Sequence, residues 1–136
     1  MQQPIELILV KQVASQLALP AFLVDPDGAL LFYNEQAEVI LGRRYDEEGE
    51  LPLAVWSVLF RPEDREGRPL PAEALPLVRT LEERRPVHGG FIITGLDGRR
   101  RELSVTAVPL IGLGDRFLGA LAIFWEESGD TEERGP

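Results

Sequence analysis

GGFIITGLDGRRRELSVTAVP, Gly89 to Pro109, is the stretch that decides the fold. It reads as two strands joined at Leu96-Asp97-Gly98-Arg99. Asp-Gly at a bend is a strong hairpin signal, and a two-residue primed turn asks for positive φ at both positions. On the second strand Leu103, Val105 and Ala107 share one face, and Glu102, Ser104 and Thr106 share the other. That alternation describes a strand with one buried and one wetter face. On the first strand Phe91 and Ile93 oppose Ile92 and Thr94. A lone hairpin is marginal in water. The remaining chain must therefore cover its apolar face and extend its edges.

Downstream, Ile111 to Arg116 form a glycine-bearing turn, and FLGALAIFW (117–125) is apolar almost throughout. A strand apolar on both faces belongs in the middle of a sheet, covered twice. Residues 127–136 carry no large apolar side chain and read as a flexible acidic tail. Upstream, Ala21 to Asp25 and Ala29 to Tyr33 form a second hairpin about Pro26-Asp27-Gly28. Asn34 is placed to cap a short helix carrying Ala37, Ile40 and Leu41 on one face, with Gly42 to close it.

Between the two hairpins the pattern is irregular. RRYDEEGELP (43–52) is a polar loop, and LAVWSVLF (53–60) is too short to classify by period. RPEDREGRPLP is loop, and AEALPLVRTLEERR places Leu77, Val78 and Leu81 on one helical face. Pro76 either opens or kinks that helix, and Pro86 ends it. At the N-terminus residues 4–18 read as an amphipathic helix, with Pro4 at its first position. Leu7, Val10, Ala14 and Leu17 recur at helical spacing, with Val13 and Leu9 widening the stripe. So wide an apolar arc can pack on its own domain, on a second copy, or on both. Leu7, Leu9, Val10, Val13, Ala14 and Leu17 are the candidate dimer contacts.

The predicted order is helix, two strands, a mostly helical crossover, then three strands. It implies an α+β fold: a five-stranded antiparallel sheet with helices over one face. The final strand joins the first hairpin to the last meander, giving the strand order 2-1-5-4-3.

Composition narrows the function. With 136 residues and 44% hydrophobic content, the chain suits one domain with a substantial core. Fourteen basic against 23 acidic residues, net charge -9, oppose a nucleic-acid partner, which needs a basic footprint. The one basic run, Arg99-Arg100-Arg101, sits beside a turn where charge is ordinarily solvated. Cysteine is absent, so disulfides and thiolate chemistry are out, and with a single histidine, His88, a structural zinc site would need its other ligands from carboxylates, an unusual choice. No run is long enough to span a membrane and no signal peptide is evident, so a cytoplasmic location is expected.

The order of elements, together with the residues at its joints, resembles the PAS domain. FLVDPDGALLFYN followed by NEQAEVILG looks like the family's opening, and GRPLPAEALPLVRTLEERRPVHGG is similar to the segment before its third strand. LDGRRRELSVTAVPL and GALAIFW look like its closing strands. The match divides the chain into a flanking dimerisation helix (1–18), the PAS domain (19–126) and the tail (127–136). The resemblance implies a sensory and protein-interaction module of bacterial signal transduction, including two-component regulation. It also implies homodimers and an effector such as a histidine kinase or transcriptional regulator. A departure lies at the exit: where many members carry an Asp-x-Thr-like junction, Trp125 leads into Glu126-Glu127-Ser128. No effector follows within these residues, so a piece of a longer sensor and a stand-alone module both fit.

The family encloses a small cavity between sheet and crossover. Here the expected wall is Phe91, Ile93, Leu103 and Val105 from the sheet, with Ile40, Trp56, Phe60 and Leu81 from the crossover. Such a wall suits an apolar or aromatic ligand, while close packing of the same side chains would leave no space at all. No cofactor is predicted. Flavin photochemistry of the LOV type needs a cysteine, and non-covalent flavin would have Trp56 as a stacking partner that serves equally as core. Haem needs an axial ligand; the helix before the third strand has no histidine, and His88 is expected at the rim. No Ser/His/Asp pattern and no phosphate loop appear, so an enzyme is not expected. The alternatives are a binding protein whose ligand is its purpose, or a small enzyme working from a carboxylate in the cavity.

Overall fold

The computed structural model describes residues 5–42 and 51–127. Pro4, the polar loop at 43–50 with Asp46-Glu47-Glu48, and the tail from 128 lie outside the described residues. The elements are α1 (Ile5–Ser15), β1 (Ala21–Val24), β2 (Leu30–Tyr33), α2 (Glu35–Leu41) and α3 (Leu53–Leu59). They continue with α4 (Pro76–Glu83), β3 (Val87–Thr94), β4 (Arg100–Ile111) and β5 (Phe117–Glu126). The sheet is antiparallel with order β2-β1-β5-β4-β3, so β5 is the middle strand. Pro76 stands at the start of α4, where its missing N–H costs nothing. The apolar segment at 53–60 is helical.

Both hairpin turns differ from the two-residue primed turn expected at Asp-Gly. In the loop Gly95–Arg99 only Gly98 has positive φ (81°). Gly95 N–H donates to the Arg99 carbonyl (2.9 Å) and Gly98 N–H to the Gly95 carbonyl (2.9 Å). Asp97 instead uses its carboxylate, which accepts from Arg99 N–H (3.1 Å). The same pattern recurs at Asp25–Ala29 and Asp64–Arg68, with Gly28 and Gly67 in the left-handed region. In both, the leading aspartate accepts two further backbone N–H groups. The longer loop needs one left-handed residue and finds it in the glycine.

The sheet serves two cores. Phe22 and Val24 of β1 and Ala120, Ala122 and Phe124 of β5 face the crossover, where the larger cluster lies. Leu23 of β1, Leu31 of β2 and Leu118 of β5 face the other way, against Leu7 and Val10 of α1. Leu118 reaches that side through a bulge: Leu110 pairs with Gly119 but Ile111 with Phe117. Gly119 is required there, since its φ is +133° and a Cβ would lie 2.1 Å from the Val24 carbonyl oxygen. β4 runs two residues past Pro109. Its pairing with β3 ends at Val87–Ala107, so Pro109 interrupts no ladder on that side.

Asn34 joins the helices to the sheet. Its Oδ1 accepts from Ala37 N–H (3.1 Å), capping α2, and from Ala21 N–H (3.1 Å). Its Nδ2 donates to the carbonyls of Ala14 (2.8 Å) and Leu19 (3.0 Å). At the far end of α2, Gly42 (φ 77°) closes the helix as expected. The buried Arg101 guanidinium donates to the Ile40 carbonyl (2.7 Å) and pairs with Asp97 (3.3 Å), fixing the second hairpin against the α2 C-terminus. The Arg99 N–H and the Arg101 side chain together hold the Asp97 carboxyl below its usual range.

α1 is held at one more point. Glu6 pairs with Arg116 (3.0 Å) and accepts from Leu113 N–H (3.3 Å) in the β4–β5 turn. The Leu113 N–H first, with Glu6's own N–H and Arg116, lowers this carboxyl's pKa. A depressed carboxyl contributes stability above its unfolded value and loses it as pH falls through the folded one. Glu6→Gln is therefore expected to weaken folding at neutral pH, with the gap to wild type closing as pH falls below the ordinary carboxylate range in urea titrations. Asn34→Ala strands two buried N–H groups and the Leu19 carbonyl, and leaves the Ala14 carbonyl with the Leu17 N–H (3.2 Å). It is expected to cost about 3 kcal/mol or more, against about 1 for a lost N-cap alone, by the same measurement.

Candidate ligand cavity

The space between sheet and crossover is not closed by side chains. A cavity of about 70 Å³ remains. The sheet contributes Phe22 from β1, Phe91 and Ile93 from β3, Leu103 and Val105 from β4, and Ala122 and Phe124 from β5. These are alternate residues on each strand, so one face of the pleat supplies them all. The crossover contributes Leu41, Trp56, Ser57, Phe60 and Pro62, then Leu75, Pro76 and Leu77 where α4 begins.

Trp56 is fixed by its polar edge. Its indole N–H donates to the Gly28 carbonyl (2.7 Å) in the first hairpin turn. Its ring meets Phe22 edge-on, with centroids 5.1 Å apart and planes at 66°, and Phe22 in turn stacks on Tyr33 at 6.0 Å. This aromatic row runs from the crossover into β1 and β2. Thr80 ties α4 to the sheet from inside, its hydroxyl lying 2.6 Å from the Arg85 carbonyl and 3.1 Å from that of Ala107. One hydroxyl proton is shared between the two acceptors.

Of the nominated wall, the structure brings together Trp56, Phe60, Phe91, Ile93, Leu103 and Val105. Ile40 and Leu81 do not line the cavity. Ile40 sits at the buried end of α2, where Arg101 binds its carbonyl, and Leu41 takes the wall position instead. Leu81 packs towards the first hairpin, its Cδ1 lying 3.4 Å from where a Gly28 Cβ would stand. Phe22, Ala122 and Phe124 were missed, although the inward alternation of β1 and β5 marks them. Pro62 and Leu75 come from irregular segments that no period describes.

The wall does not fit the two cofactors weighed from the sequence. Among the described residues that line it there is no histidine, cysteine, methionine or tyrosine to ligate a haem iron. His88 is exposed on the face of β3 opposite Phe91 and Ile93, with Nδ1 2.9 Å from Thr106 Oγ1, so it is not a rim residue. A flavin needs hydrogen-bonding partners around its ring edge and room for three fused rings. Among the described residues the wall offers one hydroxyl side chain, Ser57, and the Trp56 N–H is already engaged. Among the described residues no three His, Asp or Glu side chains are grouped to hold a metal.

The architecture has a name. The PAS family model, described as the PAS fold, matches residues 9–125. The chain belongs to the PAS family. No curated protein matches it. Among solved structures, a PAS domain from Colwellia psychrerythraea is 15% identical, with TM-score 0.63, covering 89% of this chain and 96% of that one. The Rhodobacter sphaeroides LOV protein is 16% identical, with TM-score 0.72, covering 96% and 74%. The PAS domain of nitrogen regulation protein NR(II) from Vibrio parahaemolyticus is 17% identical, with TM-score 0.58, covering 87% and 97%. At these identities the likeness is one of fold.

Trp56→Phe leaves the Gly28 carbonyl without its donor while keeping the ring. It is expected to lower stability by about 1–3 kcal/mol in denaturant titration, with the cavity's tryptophan fluorescence lost.

Proposed function

We propose that this PAS domain is a non-catalytic sensory and protein-interaction module of bacterial signal transduction. A small apolar or aromatic ligand in the cavity sets its state, and contacts between two copies carry that state to an effector. The observation that carries the reading is the placement of two apolar features on opposite sides of one sheet. The cavity lies on one side. On the other, α1 turns an uncovered apolar row outward: Ile5, Leu9 and Val13 are 69%, 53% and 61% exposed. Spaced four residues apart, they form one ridge, with Ile8 beside it.

This divides the stripe nominated from the sequence. Leu7 and Ala14 are buried and Val10 packs with Leu23, Leu31 and Leu118, so these three belong to the domain's own core. Leu17 is half-buried. Leu9 and Val13, with Ile5 and Ile8, are the residues offered to a second copy. The route between the two features is short: Phe22 is on the cavity wall and Leu23, its neighbour in β1, is under α1.

An effector such as a histidine kinase or a transcriptional regulator would receive the signal, consistent with a solved PAS neighbour that comes from a nitrogen regulation protein. A cytoplasmic setting is part of the proposal; among the described residues no helix is long and apolar enough to cross a membrane. That no carboxylate or histidine lines the cavity among the described residues favours sensing over catalysis there.

At micromolar concentration the protein is expected to sediment as a dimer. Leu9→Glu and Val13→Glu are expected to sediment as monomers with unchanged far-ultraviolet circular dichroism, because both side chains lie outside the core. A wild-type chain that is already monomeric defeats the dimer reading.

A further inference from the structure

The size and polarity of the cavity wall together define a narrower ligand class. A water-sized body needs roughly 10–15 Å³ of such space. The 70 Å³ cavity therefore holds roughly five to seven of them, the bulk of one substituted ring. Five of its side chains are aromatic: Phe22, Trp56, Phe60, Phe91 and Phe124. They offer edges and faces to a planar guest.

Polarity is the stronger constraint. Among the described residues no charged side chain lines the space, and the indole N–H of Trp56 is spent on Gly28. Among the same residues Ser57 supplies the one hydroxyl, from a residue that is itself buried on α3. A ligand bringing its own hydroxyl or amino group would strip that group of water and find almost nothing to pair it with. We infer that the cavity takes a neutral hydrocarbon of single-ring size and selects it over the analogue that carries a hydrogen-bonding group. The inference rests on the ligand-sensing reading above and adds the chemistry of the ligand.

The test titrates the whole 136-residue chain with toluene, phenol and flavin mononucleotide, following tryptophan fluorescence and thermal midpoint. Toluene is expected to bind and raise the midpoint. Phenol is expected to bind roughly 5- to 100-fold more weakly, the factor set by one unpaired buried polar group. Ser57→Ala is expected to leave the toluene-to-phenol ratio unchanged. Leu103→Ala, which enlarges the space, is expected to bind naphthalene more tightly than wild type does. If phenol matches toluene and Ser57→Ala abolishes that parity, Ser57 is a polar anchor and the selectivity is overturned while the cavity reading stands. Binding of flavin mononucleotide would overturn the size limit. If neither toluene nor phenol changes either signal, this inference and the ligand reading fall together, and the dimer reading is judged separately by sedimentation.

Discussion

One buried amide holds this domain together. Asn34, 2% exposed, spends both lone pairs of its oxygen and both protons of its nitrogen on four backbone groups from α1, the 19–21 segment and α2. That use exhausts what a carboxamide can offer. Aspartate has the right shape but no donor, and would set a buried charge against the Ala14 and Leu19 carbonyls. Leucine has the volume and none of the bonds. Because the partners come from three segments, the cap of one short helix also fixes where α1 ends and where the first strand begins.

With that joint fixed, the sheet becomes a partition. β1 is buried on both faces, Phe22 and Val24 inward and Leu23 outward, and β5 does the same once the bulge at Leu118 reverses its alternation. The two-sided apolarity of 117–125 thus has a concrete origin: helices on one side, α1 on the other. The edges are closed more lightly. Leu51 pairs with Leu30 at the β2 edge, and Glu63 with Ile92 at the β3 edge.

Much of this was legible from residues alone, and the reasons are local. Asn34 announced a cap and Gly42 a left-handed stop because capping chemistry depends on one or two residues. Alternation in 101–107 and apolarity in 117–125 placed strands for the same reason. The turns were only half legible: Asp-Gly located the bends, but loop length decided that only the glycine would be left-handed. The wall of the cavity was legible on its sheet side, where period 2 assigns a face. On the crossover side Trp56 and Phe60 lie on the wall, but Leu41 stands there instead of Ile40 and Leu77 instead of Leu81. A pattern of about two turns cannot reveal how a short helix is rotated when Pro76, Gly28 and Arg101 set its packing. The stripe on α1 was legible as apolar, yet its division between core and surface depends on the sheet beneath it.

The open cavity has a cost that can be weighed. At about 24 cal/mol per Å³, a void of 70 Å³ costs about 2 kcal/mol. That is a considerable share of the roughly 5–15 kcal/mol that holds a domain folded. Collapse would recover it, and the flexible leucines nearby could move. The rigid members could not: Trp56 is pinned at Gly28, Phe22 is wedged between Trp56 and Tyr33, and Pro62 and Pro76 fix the backbone at two points of the wall. Filling the space would require breaking the buried indole bond or unstacking the aromatic row, each comparable in cost to the void itself. The cavity is therefore held open by the same contacts that connect the crossover to β1, the strand that α1 rests upon.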